Sequence, residues 1–158
     1  MAQTMKARNA VSAKMASCYV TIDGNRYNFM SAKNIEVTFD RSKMEFGILG
    51  RMNKGHKGGS SSITGSGEFY FNTSIWREIA YRYQETGEDV YFDMQISNED
   101  ITASDIGKQT VILYDCNLDS ITLAAFDADS DDPLTESLEF TAERFELPDK
   151  YNLMPGMI

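Results

Sequence analysis

Ile63-Thr64-Gly65-Ser66-Gly67-Glu68-Phe69-Tyr70-Phe71 decides the fold class, because it alternates strictly between two kinds of residue. Ile63, Gly65, Gly67, Phe69 and Phe71 fall on one side, and Thr64, Ser66, Glu68 and Tyr70 on the other. Successive side chains of a strand point to opposite faces, so the pattern predicts a half-buried β-strand. Gly65 and Gly67 stand on the apolar side, where a missing Cβ signals close packing against a neighbour or a bulge.

Outward toward the C-terminus, the period changes. Asn72-Thr73-Ser74 offers a helix N-cap, and Ile75, Trp76, Ile79, Ala80 and Tyr83 recur at helical spacing as far as Gly87. Alternation resumes with Val90, Phe92, Met94 and Ile96, followed by a polar loop over 98–108. Residues 110–115 and 118–126 read as two strands joined near Asp115-Cys116-Asn117. After an acidic turn at 127–132, Leu138, Phe140 and Ala142 alternate with Glu139, Thr141 and Glu143 in a last strand. Residues 148–158 contain Pro and Gly without a period and read as a C-terminal arm.

Outward toward the N-terminus, Ile35, Val37 and Phe39 alternate with Glu36, Thr38 and Asp40. Residues 18–30 read as a hairpin about the turn Asp23-Gly24-Asn25, and residues 1–17 as an N-terminal arm. Residues 41–62 break the pattern. Arg41, Lys43, Arg51, Lys54, His56 and Lys57 are interleaved there with five glycines, and three serines close the segment. About twenty residues is too long for an ordinary connection in a compact domain, so an extended functional loop is expected. Met44, Phe46, Ile48 and Leu49 are apolar groups that a purely solvated loop does not need, which points to partners outside the subunit. Seven or eight strands with one helix, in a single domain of 158 residues, predict an antiparallel β-sandwich or small barrel flanked by a helix.

The net charge of −9 argues against a nucleic-acid binder, and its distribution says more. Residues 1–84 hold twelve Lys/Arg against six Asp/Glu (+6), and residues 85–158 hold three against eighteen (−15). Such a division suits either binding of a polyanion by the basic half or head-to-tail self-association, the basic part of one copy meeting the acidic part of the next. No apolar stretch approaches the roughly 18–20 residues needed to span a bilayer, so no membrane insertion is expected. The N-terminus lacks the apolar core of a signal peptide, so synthesis in the cytoplasm is expected, with Cys18 and Cys116 reduced.

Catalytic and cofactor chemistry find little support. Gly50 and Gly55 have the spacing of a phosphate-binding loop, but His56 and Lys57 stand where Lys and Ser/Thr are required. Asp127, Asp129 and Asp131 imitate the start of a calcium loop, but Asp132 replaces its glycine and Leu138 its bidentate glutamate. His56, the only histidine, lies among glycines and lysines, a poor place for a general base. No metal, no cofactor and no enzyme activity are expected.

The ordered set of segments Phe46-Gly47-Ile48-Leu49-Gly50-Arg51-Met52-Asn53-Lys54-Gly55-His56-Lys57, Gly65-Ser66-Gly67-Glu68-Phe69-Tyr70, 111–119 and 138–148 resembles the tail tube family of contractile, prophage-type tails and R-type bacteriocins. The similarity spans about residues 6 to 150. It implies six copies per ring, rings stacked helically into a hollow tube, a contractile sheath outside, and a baseplate and terminator at the ends. It also implies that a long loop or hairpin and the terminal arms bridge neighbouring subunits, and by position residues 41–62 correspond to that loop. Phe46, Leu49, Arg51, Lys54, His56 and Lys57 are its candidate assembly residues. Charge placement makes Asp127, Asp129, Asp131 and Asp132 the candidate acidic partner surface for Arg51, Lys54 and Lys57. An acidic lumen would let DNA pass without binding, since phosphates are repelled. A secreted tube of the type VI kind and a monomeric barrel carrying a small molecule are the alternatives.

Overall fold

The computed structural model describes residues 3–158. Strands β1 (Ala16–Ile22) and β2 (Asn25–Asn28) form the expected hairpin, with Asp23 and Gly24 both at positive φ (50° and 80°) in its two-residue turn. The chain continues through β3 (Ala32–Phe46), β4 (Gly55–Tyr70), α1 (Ile75–Thr86), β5 (Phe92–Glu99), β6 (Lys108–Ile121), β7 (Thr135–Ala142) and β8 (Arg144–Asp149). All pairings are antiparallel, in the order β2-β1-β5-β6-β7-β4-β3, with β8 also on β6.

The array folds into two sheets that share β6. Residues 108–116 of that strand pair with β5, and residues 110–114 with β8, in the first sheet. Residues 117–121 pair with β7 in the second. The two strands expected over 110–126 are therefore one, and the expected joint at Asp115-Cys116-Asn117 is a bend within it. Asp115 takes φ 53° there, and its N–H donates to Asp93 Oδ1 (3.2 Å). A short polar side chain tolerates the left-handed region, and an irregularity of this kind lets a strand change sheets. Similarly, the closing strand is divided at Glu143: β7 belongs to the second sheet and β8 to the first.

The inner faces meet in an aromatic core. Trp76 of α1 is fully buried among Phe29, Phe92 and Phe69, at ring-centroid distances of 5.1, 5.3 and 5.8 Å. Phe92 and Phe140 bring the two sheets together at 6.2 Å. Gly65 is paired across the strands with Phe140, and a Cβ added there would lie 2.4 Å from the Phe140 ring. The glycine on the apolar side of β4 is thus a close-packing site. Cys18 and Cys116 are buried free thiols, each pushed up to about 12, chiefly by burial. Gly87 ends α1 at φ 70°, its N–H donating to Tyr83 O (2.8 Å). No helix among the described residues is long and apolar enough to cross a membrane.

The described parts of both terminal segments are bonded to the chain's own body. Ser12 N–H donates to Asp100 Oδ2 and Thr102 N–H to Asp100 Oδ1, each at 2.9 Å, and these bonds hold the Asp100 carboxyl below the ordinary carboxylate range. Asn152 N–H donates to Ile106 O (2.8 Å), so the C-terminal segment docks on the same connection.

One buried ion pair fixes α1 to the second sheet. The Arg77 guanidinium donates to Glu136, to Thr73 O, and to Thr122 O (3.2 Å), and its carbon lies 4.1 Å from the Phe71 ring centroid. Glu136 faces inward from β7 and is 2% exposed. Arg77→Met leaves that carboxylate buried without its partner. We expect a loss of about 3–5 kcal/mol in urea denaturation of the dissociated subunit, largely recovered in Arg77→Met/Glu136→Met.

Candidate assembly surfaces

The segment 41–62 is paired rather than looped. Met44 faces Lys57, Glu45 faces His56 and Phe46 faces Gly55, so only residues 47–54 connect the strands. Pairing gives the backbone N–H and C=O groups of this Gly/Ser-rich stretch their partners, although its side chains have little strand preference. The register slips between Arg41 and Lys43, where β4 carries one extra residue, and Ser42 Oγ donates to Ser60 O (3.2 Å).

Support from the rest of the sheet stops earlier. β7 leaves β4 at the pair Ile63–Ala142, opposite Phe39 of β3. From Asp40 to Phe46 the β3–β4 pair continues as a two-stranded ribbon, roughly 20 Å long before its turn. Such a ribbon is marginally stable in water on its own. It also carries apolar groups with nothing to cover them: Leu49 and Met52 are fully exposed, and Met44 and Phe46 about half.

All six candidate assembly residues lie on this ribbon: Phe46 ends β3, Leu49, Arg51 and Lys54 are in the turn, and His56 and Lys57 begin β4. Glu45 is near Lys54 Nζ (3.9 Å) and His56 Nε2 (4.0 Å), exposed pairs that contribute little. Among the described residues, no carboxylate reaches Arg51 or Lys57 as an ion pair. Asp127, Asp129, Asp131 and Asp132 are exposed in the β6–β7 connection. That connection lies at the other end of the second sheet, where Tyr70 of β4 pairs with Thr135 of β7. Within one chain, then, the basic and acidic groups are held apart.

Two further surfaces gave no motif in the sequence. The outward face of the second sheet shows Asn34, Glu36, Thr38 and Asp40 from β3, all exposed. Beside them stand Ser62, Thr64, Ser66 and Glu68 from β4, then Ser137, Glu139 and Thr141 from β7. These residues include no cation and no large apolar side chain; Tyr70 follows Glu68 on the same side, and Met44, Phe46 and Lys57 continue that side along the ribbon. The exterior of the first sheet differs, with Arg26 stacked over Tyr19 (4.3 Å) and Arg144 over Tyr114 (4.6 Å). The signal for the polar face was the non-apolar half of each alternation, which is easily passed over as ordinary solvated surface.

Residues 3–149 match the family model described as phage tail tube protein. The chain belongs to the phage tail tube protein family. Relatives of this tail tube protein include the Phage-like element PBSX protein XkdM and the protein YqbM, both of Bacillus subtilis (strain 168). Each is 35% identical over 146 residues, covering 92% of this chain and 95% of the relative. The tail tube protein shares its fold with a chain of the anti-feeding prophage baseplate (TM-score 0.64, 14% identity, 92% of this chain and 97% of that one). It shares it also with the SPP1 tail tube (TM-score 0.61, 8% identity, 93% and 82%). A chain of the sheath–tube complex of the PVC extracellular contractile injection system matches at TM-score 0.60, with 15% identity over 91% and 98%.

The unsupported ribbon has a measurable consequence. In the dissociated subunit, amides of 43–46 and 55–58 are expected to exchange with solvent much faster than those of 63–70, and to become protected on assembly. Equal protection of both segments in the dissociated subunit would contradict a ribbon without partners.

Proposed function

We propose that this chain is the structural subunit of the inner tube of a contractile phage tail or phage-tail-like particle, with rings of six stacked around a channel. The ribbon carries this reading: a marginal two-stranded extension with bare apolar and basic groups requires another copy to complete it. Solved assemblies with the same fold are described as a 6-fold symmetrised baseplate, a tube terminating cap, a sheath–tube complex and a tail with C6 symmetry. By that likeness the partners are further copies of this chain, a sheath outside, and baseplate and terminator proteins at the ends. The subunit is made in the bacterial cytoplasm and ends in a virion tail or a released particle.

The second sheet supplies the channel wall. Its β3 edge pairs with no other described strand, and residues 117–121 of β6 are unpaired on the side away from β7. Four strands with two open edges extend side by side into the next copy, and closing the ring removes the edges that would otherwise invite aggregation. Six copies give a barrel roughly 45–50 Å across between backbones, at ~4.8 Å strand spacing and ~40° tilt. Its inside is then the face bearing Glu36, Ser66 and Glu139, a neutral and acidic stretch that lets a polyanion pass without binding. A small-molecule carrier is disfavoured by the interior, which Trp76, Phe69, Phe92 and Phe140 occupy. A catalytic role is disfavoured by His56, which sits more than half exposed on the ribbon.

Purified protein is expected to form tubes or six-membered rings by negative-stain electron microscopy. Arg51→Glu/Lys54→Glu should leave the subunit folded but reduce sedimenting tubes at least tenfold. A strict monomer over a broad range of concentration and salt, with sheath protein present, would overturn the assignment.

A further inference from the structure

The second sheet ends in two unlike features. At one end the ribbon turn presents Leu49 and Met52 alongside Arg51 and Lys54. At the other a cleft of about 720 Å³ opens beside the β6–β7 connection. Tyr70, Phe126 and Leu134 give it apolar walls, Asp127 and Asp132 line it, and Lys33 is its single cation. Phe126 is 91% exposed, so nothing among the described residues covers this aromatic ring.

We infer that this cleft receives the ribbon turn of a second copy of the chain. Leu49 and Met52 pack against Phe126 and Leu134, and Arg51 and Lys54 pair with Asp127 and Asp132. The inference rests on the tube assignment and specifies the contact by which successive copies join.

Three observations converge on that occupant. First, donor and receptor lie at opposite ends of one sheet, so the contact is heterologous and repeats along a stack without using itself up. Second, both partners combine apolar and charged groups, and the charges are of opposite sign. The apolar pair is removed from water while the carboxylates choose a basic partner and its register. Third, the connection is already shaped. Asp127 Oδ1 accepts from Asp129 N–H (3.1 Å) and Ser130 Oγ from Asp132 N–H (3.2 Å). Among the described residues, no cation pairs with either Asp127 or Asp132.

The other openings fit less well. A groove lined by Phe39 and Phe145 lies at the ribbon's own root, the wrong end for a head-to-tail contact. A cleft between Met5 and Met157 contains Lys6 and no carboxylate, which repels a basic turn.

Disulfide trapping in assembled tubes tests the contact. Chains carrying Leu49→Cys and Ser130→Cys together should give an oxidation-dependent ladder of linked copies in tubes and none in dissociated subunits. Chains carrying Leu49→Cys with Ser61→Cys, at the alternative groove, should give none. Cys18 and Cys116 are buried and do not compete. In parallel, adding Asp127→Lys/Asp132→Lys to the Arg51→Glu/Lys54→Glu chain should restore tube yield to within about twofold of the unmodified protein. Normal tubes with no ladder at position 130, or with a ladder at position 61, would overturn the inference and leave the tube assignment standing. Unmodified protein that never assembles would overturn both.

Discussion

The hydrogen-bonded pairing of β3 with β4 continues past the point where the rest of the second sheet has stopped. β7 leaves β4 at Ile63, yet β3 and β4 remain paired out to Phe46 and Gly55. Up to Ile63 the ladder is backed by the aromatic core, with Gly65 admitting the Phe140 ring and Phe69 resting on Trp76. Beyond it there is backbone pairing with little underneath. A sheet that holds its own strands in register but exceeds its own core is what the proposed completion by a neighbour rests on. The helix and the buried Arg77–Glu136 pair consolidate the opposite end. That end is packed on the core, whereas the ribbon is not.

The division of charge follows the same axis. In the sequence it is a contrast between two halves of the chain; in the fold it separates the basic ribbon from the acidic β6–β7 connection at opposite ends of one sheet. Were those groups adjacent, they would neutralise each other within a subunit and contribute nothing to ordering copies. Held apart, they are left for the contact between copies that we propose. The neutral and acidic outer face of the same sheet, from Asn34 to Asp40 and across to β7, suits the channel wall proposed for it.

Period-two and helical patterning made most strands and α1 legible, because burial of one face leaves its mark on every second or every third to fourth residue. Three things were hidden for physical reasons. The ribbon looked like a loop since both its faces are solvated in one chain, and a strand without a buried face has no alternation to show. β6 looked like two strands because the bend at Asp115 shifts the alternation as the strand passes between sheets. The Arg77–Glu136 pair was invisible since each charge reads locally as surface, and only the packing of α1 on β7 buries them together. The candidate residues were found by composition, Gly-rich and basic against acidic, but composition does not say that they lie at opposite ends of a sheet.

Helical reconstruction of the assembled protein by cryo-electron microscopy would show which sheet walls the channel and where the ribbon goes. We expect a hollow tube whose channel is walled by β6, β7, β4 and β3 of each copy, with the β3–β4 ribbon crossing from one ring to the next. A wall formed by the first sheet, or a ribbon left in solvent on the outside of the tube, would contradict it.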